Sequence, residues 1–288
     1  EYFGRGDKEY QEIKSKTLNW LKKKSGQDQI IAVPGAATTA AIIAFNSFIK
    51  GDVLVIDTGY YSKRWFNYLS NTKIAKKTHL LSYENFLKKN FSKKYEFIIF
   101  VYVETASCTK FDIKKVKKKS KQLEANLIVD ATASIGLESS HNLADVIFFS
   151  SCKGLFGPTG LGFIGYKKTL KIHSSKDFLF DYKTHKEAKY TLGYNCMAAL
   201  YSISKKHNFY KKKILFARNY LKKYLVNKQG PIIGSGLNFT LKNKNLKNTI
   251  FYIPREYPGY DLIFYLGLIK FSNSEIKETL IKRLIKNC

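Results

Sequence analysis

The stretch "ADVIFFSSCKGLFGPTGLGFIGY", Ala144–Tyr166, sets two apolar runs on either side of a glycine-rich bend. "DVIFFSS" shows no alternation of apolar and polar residues, which is the pattern of a strand buried on both faces, and "GLGFIGYKK" reads the same way. Between them stands Lys153, behind apolar and hydroxyl residues and ahead of the bend. An amine is costly to bury. The desolvation that makes it costly also lowers an amine's pKa and turns a point charge into a nucleophile.

Working outward, the chain repeats strand and helix. Upstream lie "NLIVDAT", "EFIIFVYVE", "DVLVIDT" and "QIIAVP" as strands, with "TTAAIIAFNSFI", "SKRWFNYLS" and a lysine-rich segment as intervening helices. "EYQEIKSKTLNWLKKKS" forms an opening helix whose apolar side is Tyr10, Ile13, Leu18 and Leu21. Fully apolar strands alternating with helices predict an α/β fold, a mainly parallel sheet covered on both faces. From about Tyr194 the periodicity is helical, and the last stretch mixes short strands with a final helix, "NSEIKETLIKRLIKN". The expected organisation is a large α/β domain over 1–205 and a smaller α+β domain over 206–288.

The 288 residues carry a formal net charge of +28, which invites a nucleic-acid partner. The distribution argues otherwise. Only Arg5, Arg64, Arg218, Arg255 and Arg283 could offer planar forks to base edges; the lysines lie along helical faces such as "DIKKVKKKSKQL", where Ile113, Val116 and Leu123 make the buried stripe. No specific nucleic-acid partner is expected. The longest apolar runs, "DLIFYLGLI" and "EFIIFVYVE", are about half the roughly 20 residues of a spanning helix, so no membrane is expected. Cys108, Cys152, Cys196 and Cys288 form no CxxC pair and too few bridges for a disulfide scaffold. Glu1 opens a polar stretch, not a basic and then apolar leader. A cytoplasmic protein without a metal site is the expectation.

In open α/β sheets ligands sit beyond the carboxyl ends of the strands. Asp130 closes "NLIVD", where a carboxylate is expensive unless a cation or several donors meet it. It either caps the next helix through "DATAS" or meets a protonated ring nitrogen. An acid for a pyridinium and an amine for a Schiff base are the two groups pyridoxal phosphate requires of its protein, and Asp130 with Lys153 would supply them. "GAATT" opens a helix with small residues, so its free N–H groups and the Thr38 hydroxyl could face a phosphate, although small residues at a helix start are more often simple close packing. Tyr61 could lie on a pyridine ring or pack in the core.

"NLIVDATASIG" followed by "ADVIFFSSCKGLFGPTGLGFIGY", with 23 positions from Asp130 to Lys153, resembles the core of the class V aminotransferases of fold type I, which bind pyridoxal 5′-phosphate. Within that class the likeness is greatest to the 2-aminoethylphosphonate:pyruvate and alanine:glyoxylate aminotransferases. "PGAATTAAIIAF", "DTGYYSKRW", "VETASCTKFDIKKV" and "EYPGYDLIFYLGLI" add to it. The resemblance implies Lys153 as Schiff-base lysine and proton shuttle, Asp130 as partner of the ring nitrogen, and Tyr61 stacked on the ring. Thr105 would lie near the ring hydroxyl, and Ala36, Ala37 and Thr38 at the phosphate with Ser151 nearby. It also implies a homodimer in which Thr191 or Tyr194 serves the neighbour's phosphate.

The departures concern the substrate. Tyr265 stands where the family has an arginine for the substrate's acid group, leaving Lys270 or Arg255 as substitutes, and Ala36 and Ala37 remove a hydroxyl and a glycine from the phosphate loop. The implied activity is transfer of an amino group from a small amine or amino acid to a keto acid, 2-aminoethylphosphonate with pyruvate being one such pair. The alternatives are a lyase or decarboxylase using the same cofactor, or a basic nucleic-acid-binding protein on the same fold.

Overall fold

A computed structural model describes residues 4, 6–187, 190–222, 225, 230–236, 251–252, 262–269 and 271–280. In chain order the elements of its larger part are α1 (Lys8–Ser25), β1 (Gln29–Gly35), α2 (Ala37–Phe48), β2 (Asp52–Asp57), α3 (Tyr60–Asn71), β3 (Lys77–Ser82), α4 (Tyr83–Lys88) and β4 (Phe97–Val101). A two-strand hairpin follows, β5 (Val103–Glu104) with β6 (Thr109–Lys110). Next come α5 (Ile113–Gln122), β7 (Asn126–Asp130), β8 (Val146–Ser150), β9 (Gly160–Tyr166), α6 (Tyr182–Lys186) and α7 (Tyr194–Leu221).

Seven strands form one sheet in the order β1-β9-β8-β7-β4-β2-β3. Pairing is parallel from β8 through β7, β4, β2 and β3, and β9 runs antiparallel to both β1 and β8, so a single reversed strand interrupts a parallel sheet. The expected mainly parallel α/β sheet is therefore present. The half-buried edge strand β3, "KTHLLS", is an addition to it: His79 and Thr78 break the apolar run that marks the central strands.

The uninterrupted apolar strands have a simple cause. Successive side chains point to opposite faces, and each face is covered. Ile98, Phe100, Leu127, Val129, Ile147 and Phe149 join the core layer under α1, α5 and the start of α7; Phe97, Ile99, Ile128, Val146 and Phe148 join the layer under α2 and α3. Each such buried side chain contributes about 1.5–3 kcal/mol against exposure. The α2 start can approach β9 only because position 162 is glycine, where a Cβ would sit 2.6 Å from the Ala36 carbonyl oxygen.

The remaining elements are β10 (Gly234–Gly236), β11 (Phe251–Tyr252), β12 (Leu262–Phe264) and α8 (Asn273–Leu280), the three strands forming a small antiparallel sheet in the order β10-β12-β11. The boundary expected at 205/206 falls inside α7. Met197 and Leu200 of that helix belong to the core beside the large sheet, and Ile214, Ala217 and Leu221 to the core of the small part, so one helix serves both. Among the described residues no helix is long and apolar enough to cross a membrane, and no group of three His, Cys, Asp or Glu side chains could hold a metal ion.

Candidate active site

The carboxyl ends of β1, β2, β4, β7 and β8 share one edge of the sheet, and the chain leaving each contributes to one cavity of ≈ 180 Å³. Ala36, Ala37 and Thr38 come from the start of α2, Tyr61 and Arg64 from α3, Thr105 from beyond β5, Asp130 from β7, and Lys153 from beyond β8. Sequence reasoning named seven of these and the structure brings them together.

Asp130 is only 7% exposed, yet both carboxylate oxygens accept hydrogen bonds: Trp65 Nε1 donates to Oδ2 at 3.0 Å and the Thr132 backbone N–H to Oδ1 at 3.0 Å. The second bond is the local cap that "DATAS" allows. The first fixes the carboxylate from another element and leaves it on the cavity wall. On the same cavity, Lys153 Nζ donates to Thr105 Oγ1 at 3.2 Å and lies 5.0 Å from the centroid of the Tyr61 ring. The Tyr61 ring is itself held by its backbone: its N–H donates to Glu104 Oε2 at 2.8 Å, while the Ala106 N–H donates to Oε1 at 2.8 Å. Glu104 is fully buried and ties the helix carrying Tyr61 to the turn carrying Thr105.

Lys153 reaches the cavity through an unusual backbone. Its φ is 56°, in the left-handed region that costs a bulky side chain about 1–3 kcal/mol. The turn is held from behind. Gly154 packs so closely that a Cβ there would lie 2.2 Å from the Ile135 carbonyl oxygen, and His207 Nε2 sits 2.9 Å from the Gly154 carbonyl oxygen, in a donating position. The His207 ring stacks on Phe156 at 4.8 Å.

One expected site residue does not line the cavity. Ser150 and Cys152 face the cavity, so Ser151 between them faces away, and its hydroxyl donates to the Pro158 and Leu161 carbonyls inside the β8–β9 connection. Tyr265, expected at the substrate, lies elsewhere. It is fully buried, packed with Ile214, Ala217, Leu221 and Leu268, and does not line the cavity. Arg255 and Lys270 lie outside the described residues. Thr191 is exposed and Tyr194 packs on Tyr10 with ring centroids 5.6 Å apart; neither lines the cavity of its own chain.

Sequence reasoning passed over Arg64, Trp65, Glu104 and Thr132. The signal for two of them was present: Tyr61, Arg64 and Trp65 are i, i+3 and i+4 on α3, one face of a helix.

The family model for class V aminotransferases matches residues 4–189. The chain belongs to the class V aminotransferases. Solved structures share the fold of this aminotransferase at low identity. The aspartate aminotransferase of subgroup IV from Thermus thermophilus superposes with a TM-score of 0.80 at 15% identity, covering 100% of this chain and 94% of its own. Pyridoxamine-pyruvate aminotransferase from Mesorhizobium loti gives 0.78 at 13%, covering 99% and 90%, and alanine–glyoxylate aminotransferase from Nostoc sp. gives 0.77 at 14%, covering 100% and 88%. No curated protein sequence matches. The family uses pyridoxal 5′-phosphate.

The donor set of this aminotransferase fits that cofactor. A carboxylate, an amine and a tyrosine ring line one cavity, the amine 5.0 Å from the ring centroid. The Thr132 hydroxyl, on the same wall, is buried without a hydrogen-bond partner among the described residues, as expected of a site shaped for a polar ligand.

Two buried histidines contribute to the pH dependence of stability. Burial desolvates the charged form and pushes His207 and His141 from 6.5 down to about 4. The unfolded chain then binds more protons than the folded one between those values. Their stability contribution is complete above about pH 6.5 and is lost as pH falls toward 4, on the order of 3 kcal/mol for each histidine. The urea midpoint should drop across that window. His207→Gln, which keeps a donor for Gly154, should flatten the drop; an unchanged pH profile in that variant would show that His207 is not buried neutral.

Proposed function

We propose that the cavity is the catalytic centre of a transaminase that moves an amino group from a small amine or amino acid to a keto acid, with Lys153 and Asp130 as its catalytic residues. The observation that carries this is the placement of Asp130, Lys153 and Tyr61 on one cavity at the carboxyl edge of the sheet. When bound, pyridoxal 5′-phosphate supplies an aldehyde that takes the donor's amine and a ring that accepts an electron pair.

The chain's own residues do the rest. Lys153 would be the residue that anchors the cofactor through its aldehyde, and its freed amine would be the base that moves the proton of the reaction. Thr105 Oγ1 holds Nζ in range between those steps. Asp130, fixed by Trp65 and Thr132, keeps the proton on the ring nitrogen. Tyr61 covers one ring face. The start of α2 has no side-chain cap, so its N–H groups would be free to hold the phosphate.

A homodimer, in which the exposed Thr191 reaches the neighbour's phosphate, belongs to the same proposal. 2-Aminoethylphosphonate with pyruvate is the first pair to assay, on the likeness of the Asp130–Tyr166 segment; the alanine–glyoxylate and pyridoxamine-pyruvate relatives support a small keto acid as acceptor. Amines offered singly to the loaded enzyme should convert the cofactor to its pyridoxamine form, and a keto acid should restore it. Release of carbon dioxide or ammonia with no pyridoxamine form from any amine would assign a decarboxylase or lyase instead.

A further inference from the structure

The loss of a hydroxyl and a glycine at Ala36 and Ala37 leaves the α2 end of the cavity with backbone N–H groups and Thr38, and no charge of its own. A phosphate ester carries close to two negative charges near neutral pH, and a desolvated anion needs a cation or a dense set of donors. Among the described residues lining the cavity only Arg64 and Lys153 are cationic. Lys153 Nζ is engaged elsewhere, donating to Thr105 Oγ1 at 3.2 Å and lying 5.0 Å from the Tyr61 ring centroid.

The Arg64 side chain lies at the start of α2. Its Nη2 donates to Thr38 Oγ1 at 3.2 Å, which brings the guanidinium to the start of α2. The group also lies 5.3 Å from the Trp65 ring centroid, so an aromatic face restrains its orientation. Trp65 in turn donates to Asp130. One face of α3 therefore spans the cavity, with Tyr61 for the ring, Trp65 for the acid that holds the ring nitrogen, and Arg64 beside the α2 N–H groups.

We propose that Arg64 is the phosphate clamp of this enzyme, binding the cofactor's phosphate ester through its planar fork beside the N–H groups at the start of α2. The assignment rests on the reading of this cavity as the cofactor site. A guanidinium suits the role, because it offers parallel N–H groups to phosphate oxygens where an ammonium offers a point charge.

The test uses cofactor-free full-length protein and compares binding of pyridoxal 5′-phosphate with binding of pyridoxal, which lacks the phosphate. In Arg64→Ala the affinity for pyridoxal 5′-phosphate should fall roughly 10- to 100-fold, the range for charge-assisted hydrogen bonds, while pyridoxal changes by less than about twofold. Inorganic phosphate should compete with pyridoxal 5′-phosphate in the wild type and much less in the variant. Arg64→Lys should recover only part of the loss. Lys63→Ala, which removes the neighbouring charge, should stay within about twofold of wild type if the effect is a specific contact. Equal losses for both ligands, or none for either, would overturn the clamp, as would a variant that binds cofactor normally and raises only the KM for the keto acid. A wild-type protein that binds neither ligand would overturn the reading of the cavity itself, a distinct result because it appears before any substitution is made.

Discussion

Lys153→Ala should leave a folded protein that transaminates at least about 10⁴-fold more slowly, because one substitution removes both the covalent anchor and the group that moves the proton. The direct readout is chemical. Wild-type enzyme treated with borohydride should carry the cofactor's mass on the peptide containing Lys153, and the variant should carry none. Cofactor found at another lysine, or a variant as fast as wild type, would remove Lys153 from the mechanism.

The backbone adds a second expected result. With φ at 56°, Lys153 pays for its conformation, whereas glycine occupies that region without a Cβ clash. Lys153→Gly should be as inactive as Lys153→Ala, yet gain about 1 kcal/mol of stability over it, or roughly 2–4 °C in Tm. A catalytic residue held in strain gives this pattern, in which function and stability move in opposite directions. A lysine present only for packing would lose both.

How much of this could be read from residues alone depended on the physics each position obeys. The central strands were legible because burial on both faces leaves nothing polar in "FIIFV" or "VIFFS". The edge strand β3 was not, since an edge needs only partial burial and "KTHLLS" reads as ambiguous. The reversal of β9 was hidden in composition and visible only in spacing. The connection from Ser150 to Gly160 is too short for the crossover of about a dozen residues that a parallel neighbour requires.

The site divides in the same way. Asp130 and Lys153 stood out because charge at the end of an apolar strand has to be explained. Ser151 lies between the cavity-lining Ser150 and Cys152, and one residue in an extended chain is a change of face. Tyr265 was judged by the arginine it replaces, while its surroundings in the fold are apolar side chains from α7 and the 3₁₀ turn it begins. Arg64 was counted among the basic residues that argue about nucleic acid, and only the helix geometry links it to Tyr61.

Asp130→Asn should slow transamination by about 10²–10⁴-fold while the cofactor still binds, because an amide cannot hold a proton on the ring nitrogen by charge. The cost to folding is separable. Trp65 Nε1 and the Thr132 N–H each donate to a different carboxylate oxygen, and asparagine offers only one acceptor, so one buried donor would face an NH₂ group at a cost of about 1–3 kcal/mol. Trp65→Phe removes one of those donors and leaves the charge, so it should slow the reaction far less, about tenfold or under. Asp130→Ala then provides the decisive comparison. Loaded with a cofactor methylated on its ring nitrogen, which is cationic without any help from the protein, it should regain a large part of the lost rate; with the ordinary cofactor it should not. Rescue of that kind requires that the carboxylate act through the ring nitrogen's charge, whereas a purely structural role for Asp130 predicts the same slow rate with either cofactor.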